Sequence, residues 1–194
     1  MALLLRGQVR SADDLDLKAD TGTVDLDRLL RLLPTVEKAV PKGSRIDGDL
    51  RVVASIKKQG EALDLGANVT MKNALIDQGE LDLRGSAELQ TQVRSTQHSA
   101  SVNADLDLTQ AQLKLPGSID KDRGVPMRLR AQIERTARVV AVKLAELTLP
   151  GGTLRVNGKA DLGNNNLDMK VPVVDLDLAK LANVLPALNR GSLG

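Results

Sequence analysis

Apolar and polar residues alternate one by one along most of this chain. Ile46, Gly48, Leu50, Val52, Ala54 and Ile56 fall on one side of an extended strand, with Asp47, Asp49, Arg51, Val53 and Ser55 on the other. Successive side chains of a strand point to opposite faces, so a period of two predicts a sheet with one oily and one polar face. After Gly60 the pattern resumes with Leu63, Leu65, Ala67, Val69 and Met71. Its cleanest stretch lies between Gly79 and Arg94, where Leu81, Leu83, Gly85, Ala87, Leu89, Thr91 and Val93 alternate with Glu80, Asp82, Arg84, Ser86, Glu88, Gln90 and Gln92. A strand of that length is well beyond the usual five or six residues or so.

Further alternating runs are Val102, Ala104, Leu106 and Leu108; Met127, Leu129, Ala131 and Ile133; Val140, Val142 and Leu144; and Leu154, Val156, Gly158, Ala160 and Leu162. Turn-forming residues stand between them at 58–60, 116–117, 150–152 and 163–166, where Gly, Asn and Pro supply the backbone angles a reversal needs. Consecutive strands joined by short turns pair antiparallel. The expected fold is mainly β, a long curved antiparallel sheet forming an open half-barrel or groove, with 1–194 as one segment.

Two stretches leave this rhythm and read as short amphipathic helices. At 24–34, Asp27 is the expected N-cap, Leu26, Leu29, Leu30 and Leu33 share a face, and Pro34 marks the end. At 174–188, Val174, Asp175, Leu176 and Asp177 open the same way, Leu178, Leu181, Leu185 and Leu188 follow at helical spacing, and Pro186 is the expected close. The two resemble one strand-to-helix unit used twice.

Composition narrows the chemistry. The chain has 194 residues, 42% of them hydrophobic, which is enough for a sizeable core, yet no aromatic residue and no cysteine. Most of the usual equipment for stacking bases, sugars or flavins is thereby missing, and disulfides and thiolate metal sites are excluded. Lys and Arg number 27 against 25 Asp and Glu, spread without basic runs, so there is no nucleic-acid footprint. The apolar run 1–5 is far shorter than the roughly 20 residues of a membrane span. The chain begins in a strand-like pattern, so a segment of a longer repeat protein is expected, with any anchor outside these residues.

Candidate catalytic groups are few. Asp105 and Asp107 are about 7 Å apart on one strand face, but Asp-Leu-Asp recurs at 14–16, 25–27, 105–107 and 175–177, which reads as a polar face. His98 is the only histidine and has no nucleophile arrangement around it. Lys42, Gly43 and Ser44 have the letters of a phosphate loop in the wrong order. No cofactor or metal is expected and the chain does not read as an enzyme. What remains is an oily face larger than two short helices hide: either the sheet closes over a dry core, or that face is functional.

Ala104 to Pro116, followed by Asp120-Lys121-Asp122-Arg123-Gly124-Val125-Pro126, resembles the AsmA-like superfamily in its YhdP and TamB neighbourhood, with its "D-L-T-x-A-x-L-x-L-P … K-x-x-G-x-P" segments. The helical units are similar to that family's "D-L-x-x-L-x-x-L-P" element, and 41–50 to its strand opener "G-x-I-x-G-x-L". The resemblance implies a periplasmic β-groove of an inner-membrane-anchored protein that conducts phospholipids toward the outer membrane. On that reading Ile46, Leu50, Val52, Leu63, Leu65, Leu81, Leu83, Leu89, Val102, Leu106, Leu108, Leu129, Ile133, Leu154 and Val156 face lipid. The partners are phospholipid and neighbouring β repeats of the parent chain. The alternative is a structural or assembly-scaffold β-domain with a closed dry core.

Overall fold

The computed structural model describes residues 3–32, 43–164, 166–172 and 176–190. Its strands are β1 (Leu4–Ser11), β2 (Asp14–Asp20), β3 (Val24–Asp25), β4 (Arg45–Gln59), β5 (Ala62–Gln78), β6 (Leu81–Ser95), β7 (Ser99–Asp107), β8 (Ala111–Leu115), β9 (Ile119–Lys121), β10 (Arg128–Thr136), β11 (Val139–Leu149), β12 (Gly152–Asp161) and β13 (Asn166–Lys170). All belong to one antiparallel sheet, in the order β1-β2-β4-β5-β6-β7-β10-β11-β12-β13, with β3, β8 and β9 beside this path. β1 and β13 end the order without pairing with each other, so the sheet is open and not a barrel.

Two-residue turns set the register. Gln59 faces Ala62 across Gly60-Glu61, and Gln78 faces Leu81 across Gly79-Glu80. Each reversal places positive φ on its glycine, 58° at Gly60 and 68° at Gly79. Bulges then alter the alternation. In β11, Gln132 faces Leu144 while Ile133 faces Val142, so Lys143 is the extra residue. Leu144 therefore joins the polar face, contrary to its expected place beside Val140 and Val142. A second bulge, at Asn73 with φ 51°, moves the apolar set of β5 from odd positions to Ala74 and Ile76.

The segment that carries the family resemblance is a broken double strand. β6 pairs with β7 along its second half and with β8 along its first, so β8 continues the line of β7 after a break at Leu108–Gln110. β9 pairs with β8, and β10 with β7, which repeats the break one strand further on. At Gly85 the backbone of Gln110 approaches so closely that a Cβ would collide with its carbonyl. Lys121 seals the gap. Its side chain is fully buried and its ammonium donates to the carbonyls of Ala111 (2.5 Å), Asp122 (3.1 Å) and Thr109 (3.3 Å). Burial pulls this amine below the usual lysine value, while Asp107 and Asp122 pull it back up.

Among the described residues, three short helical turns lie along one rim. α1 (Leu26–Leu32) follows β3 at the β4 start. Its cap is Asp25, whose carboxylate accepts from the Arg28 N–H at 2.8 Å. Asp27, the expected cap, sits in the first turn of the helix, where its charge suits the helix dipole. α2 (Leu178–Ala182) is capped by Asp177, which accepts from the Lys180 N–H. The first acidic residue of the Val-Asp-Leu-Asp entry thus caps one unit and the second caps the other. Pro186 divides the second unit and does not end it, because it has no N–H to continue α2 and a φ suited to starting α3 (Ala187–Arg190). Residues 33, 34, 174 and 175 of the expected helices lie outside the described residues.

α2 is seated on the Pro150-Gly151 turn, where Gly151 O accepts from the Asp177 N–H at 2.6 Å, and on β9, where Val184 O accepts from the Asp120 N–H at 2.8 Å. The buried apolar residues among those described are Val24, Ala74, Ala111, Leu113, Leu181 and Val184, and all belong to this helical half of the sheet. No described element covers the opposite rim, with its turns at 12–13, 60–61, 96–98 and 137–138.

Ion pairs run across the polar face. Arg128 Nε donates to Asp105 at 2.6 Å, and Arg130 links Asp105 (3.3 Å) to Glu146 (3.4 Å), which also accepts from Arg155 (2.6 Å). These pairs join β7, β10, β11 and β12 in alternating sign. The Arg128 hydrogen bond holds the Asp105 carboxyl below its ordinary value, and Arg51 does the same to Asp20, down to about 2.

Two expectations follow. Lys121→Met removes the donor that three carbonyls share, and thermal denaturation should show a loss of about 2 kcal/mol, a fall in Tm of roughly 4–8 °C. Asp105 has a folded pKa below its unfolded one, so its contribution is present above roughly pH 4 and is lost as pH falls through the lowered value. Asp105→Asn should therefore melt lower than wild type at pH 7 and lose less stability than wild type on acidification from pH 5 to pH 2, as read by circular dichroism melts.

Candidate functional site

Cross-strand register carries the apolar residues into rows that run perpendicular to the strands. One row is made of small side chains: Ala19, Ala54, Ala67, Thr91, Ala104, Ala131 and Ala145 stand opposite one another from β2 to β11 and end at Val156 of β12. On one flank run Leu17, Ile56, Leu65, Val93, Val102, Ile133 and Val142. On the other run Val52, Val69, Leu89, Leu106, Leu129, Leu147 and Leu154. A shallow lane of methyl groups is thus bordered by two ridges of larger aliphatics. At about 4.8 Å per strand, its eight strands give a length of roughly 34 Å.

Of the residues expected to face lipid, all but Leu108 map to this face by strand register. Leu65, Val102 and Ile133 are in one ridge, Val52, Leu89, Leu106, Leu129 and Leu154 in the other, and Val156 ends the lane. Leu50 continues the face opposite Met71, and Ile46 and Leu83 flank Ile76 near the helical rim. Leu81 faces Gln78 at that rim, and Leu63 faces Lys58 and Ser95 at the other. Leu108 sits at the strand break, its N–H bonded to Met127 O.

Little covers the ridges. Ile133 is 36% exposed, Val102 37%, Leu154 40%, Ile56 41% and Leu129 45%, values that belong to a surface and not to a core. The face is an open strip and not an enclosed pocket. A cleft of about 370 Å³ crosses the same strands, lined by the lane residues Ala67, Thr91, Ala104 and Ala131 and by polar neighbours among them Gln92, Asn103 and Arg130.

The other candidates have structural occupations. Asp105 is held by Arg128 and Arg130, and Asp107 accepts the Thr109 N–H at 2.8 Å, so both carboxyls are stabilised as anions and neither is poised to give up a proton. His98 is exposed in the turn between β6 and β7. Gly43 and Ser44 lead into a strand, whereas a phosphate loop leads into a helix N-terminus. Among the described residues no three His, Asp or Glu side chains are grouped to hold a metal, and no helix is long and apolar enough to cross a membrane. Sequence reasoning passed over Lys121 as a residue of interest in its own right, since one lysine in a polar stretch gives no sign of burial.

Compared with protein-family models, curated proteins and solved structures, the chain matches none of them.

Proposed function

We propose that this chain is a groove segment that binds phospholipid acyl chains along its apolar face and passes them from one strand to the next. The reading rests on one observation: two aliphatic ridges, each kept in register across seven strands, border a lane of small residues, and no described element packs over them as a layer. Burying such a strip yields about 25 cal/mol per Å² of apolar surface, and acyl chains bury it without needing any directional contact. Half of a hydrocarbon core of roughly 30 Å is about 15 Å, so the lane has room for about two lipids end to end. A scaffold domain with a dry closed core is the less favoured reading, because the sheet does not close and its buried residues are confined to one rim.

In keeping with the AsmA-like resemblance, the chain would work as the periplasmic part of an inner-membrane-anchored protein, in contact with neighbouring β repeats. The sheet supports such continuation. Ten strands lie along its main path, each antiparallel to the next, so β1 and β13 run in opposite directions. A repeat added at either edge extends the same alternation. The edge strands also carry exposed Leu5, Val9, Leu167 and Met169, which a neighbouring strand would cover.

Two variants of β7 test the lipid reading with the same charge on opposite faces. Leu106→Asp places a carboxylate in a ridge, and Asn103→Asp places one on the polar side between Gln92 and Gln132. Asp105 does not serve as the control, because it is tied to Arg128 and Arg130. A charge in hydrocarbon costs about 3 kcal/mol, so Leu106→Asp should lower lipid occupancy about a hundredfold while remaining folded. Asn103→Asp should keep its lipid. Native mass spectrometry after incubation with phospholipid vesicles, together with a Tm, reads both. A folded Leu106→Asp protein with unchanged lipid would sink the proposal, and collapse of its fold would favour a closed core.

A further inference from the structure

The polar face carries a distinct feature at its β1 end. Pairing of β1 with β2 puts Arg6 directly opposite Lys18, and pairing of β2 with β4 puts Lys57 opposite Asp16, one pair along from Lys18. These side chains line one cleft of about 450 Å³ together with Gln8, Arg10 and Asp14. Like charges directly opposed across a ladder destabilise it. In the middle of the same face the ladder avoids this by alternating sign, as in Arg128–Asp105, Arg130–Glu146 and Arg155–Glu146. In the cleft, Arg10 pairs with Asp14 at 3.5 Å, whereas Arg6, Lys18 and Lys57 have no ion pair or hydrogen bond among the described residues. Arg6, Arg10, Lys18 and Lys57 against Asp14 and Asp16 leave two positive charges in excess.

The geometry points to an anion site in this cleft that takes a phosphate group, with Arg6 and Lys18 as its principal donors and Lys57 beside them. The guanidinium of Arg6 offers a fork of donors to two phosphate oxygens, and the ammonium groups supply compact charge. A bound phosphate turns the opposed Arg6–Lys18 pair into a cation–anion–cation bridge, which removes the conflict in the ladder. The register makes the site: Arg6, Lys18 and Lys57 come from three strands and form no run in the sequence. The cleft lies on the face away from the apolar ridges, so the site does not rest on the lipid reading. Its phosphate has two possible sources, a soluble phosphate ester or the headgroup of an anionic lipid in a membrane against which this face lies.

The test compares wild type with Arg6→Gln/Lys18→Gln, and with Lys159→Gln as a control on the polar face of β12. Tm is measured in glycerol phosphate and in sodium chloride at matched ionic strength. Co-sedimentation is measured with phosphatidylcholine vesicles with and without phosphatidylglycerol. Glycerol phosphate should raise the Tm of wild type and of Lys159→Gln and leave that of the double variant unmoved, with affinity lowered at least tenfold. Without added anion, the double variant should melt no lower than wild type, since it relieves a repulsion. A wild type that ignores glycerol phosphate but binds phosphatidylglycerol vesicles, with that binding lost in the double variant, assigns the phosphate to a membrane headgroup. The proposal is overturned if wild type responds to neither probe, or if the double variant responds as wild type does.

Discussion

Antiparallel register is the constraint on which everything else in this molecule depends. A slip of one residue between any two strands would send an entire apolar set to the opposite face. The tight turns at 60–61 and 79–80 exclude such slips by joining strands through two residues with positive φ on the glycine. The long strands β4, β5 and β6 then carry that register across 15, 17 and 15 residues. Where alternation would drift, a bulge resets it. Asn73 does so in β5, and Lys143 does so in β11, at the cost of sending Leu144 to the polar side.

Keeping one face apolar over so many strands leaves a sheet without a second layer among the described residues. Its helices are too short to supply one. They line a single rim, and the buried residues gather there: Val24 under α1, and Leu181 and Val184 where α2 rests on the Gly151 turn and β9. The rest of the ridges meet solvent in the isolated chain. Backbone hydrogen bonding between neighbouring strands and the polar-face ion pairs therefore hold much of the sheet together, with apolar packing contributing mainly within the ridges. Exposed aliphatic rows of this extent call for an occupant, which is the ground for the proposed binding of acyl chains.

The polar face is not uniform. Around Asp105 and Glu146 charges interlock, and each carboxylate serves two guanidinium groups. At β1 and β2 the same ladder geometry opposes two cations. The contrast separates a part of the face that stabilises the sheet from a part that is electrostatically incomplete without an anion.

The sequence by itself determined the secondary structure class, the long strands between 46 and 162, and which residues share a face wherever no bulge intervenes, because period-two alternation is a local property written residue by residue. The pattern is weakest where alternation is short or interrupted: it does not mark β2, β8, β9 and β13, and it puts Leu144 on the wrong side of the bulge at Lys143. Only the tertiary structure decided whether the sheet closes, because closure depends on summed twist and strand order and not on any one strand. It alone placed both helical units on the same rim and set the cap at Asp25 in one and Asp177 in the other. It also revealed Lys121 as a buried clamp and gathered Arg6, Lys18 and Lys57 into one cleft. Burial and clustering of charge are relations between strands far apart in the chain, and the pattern along one strand carries no record of its neighbours' register.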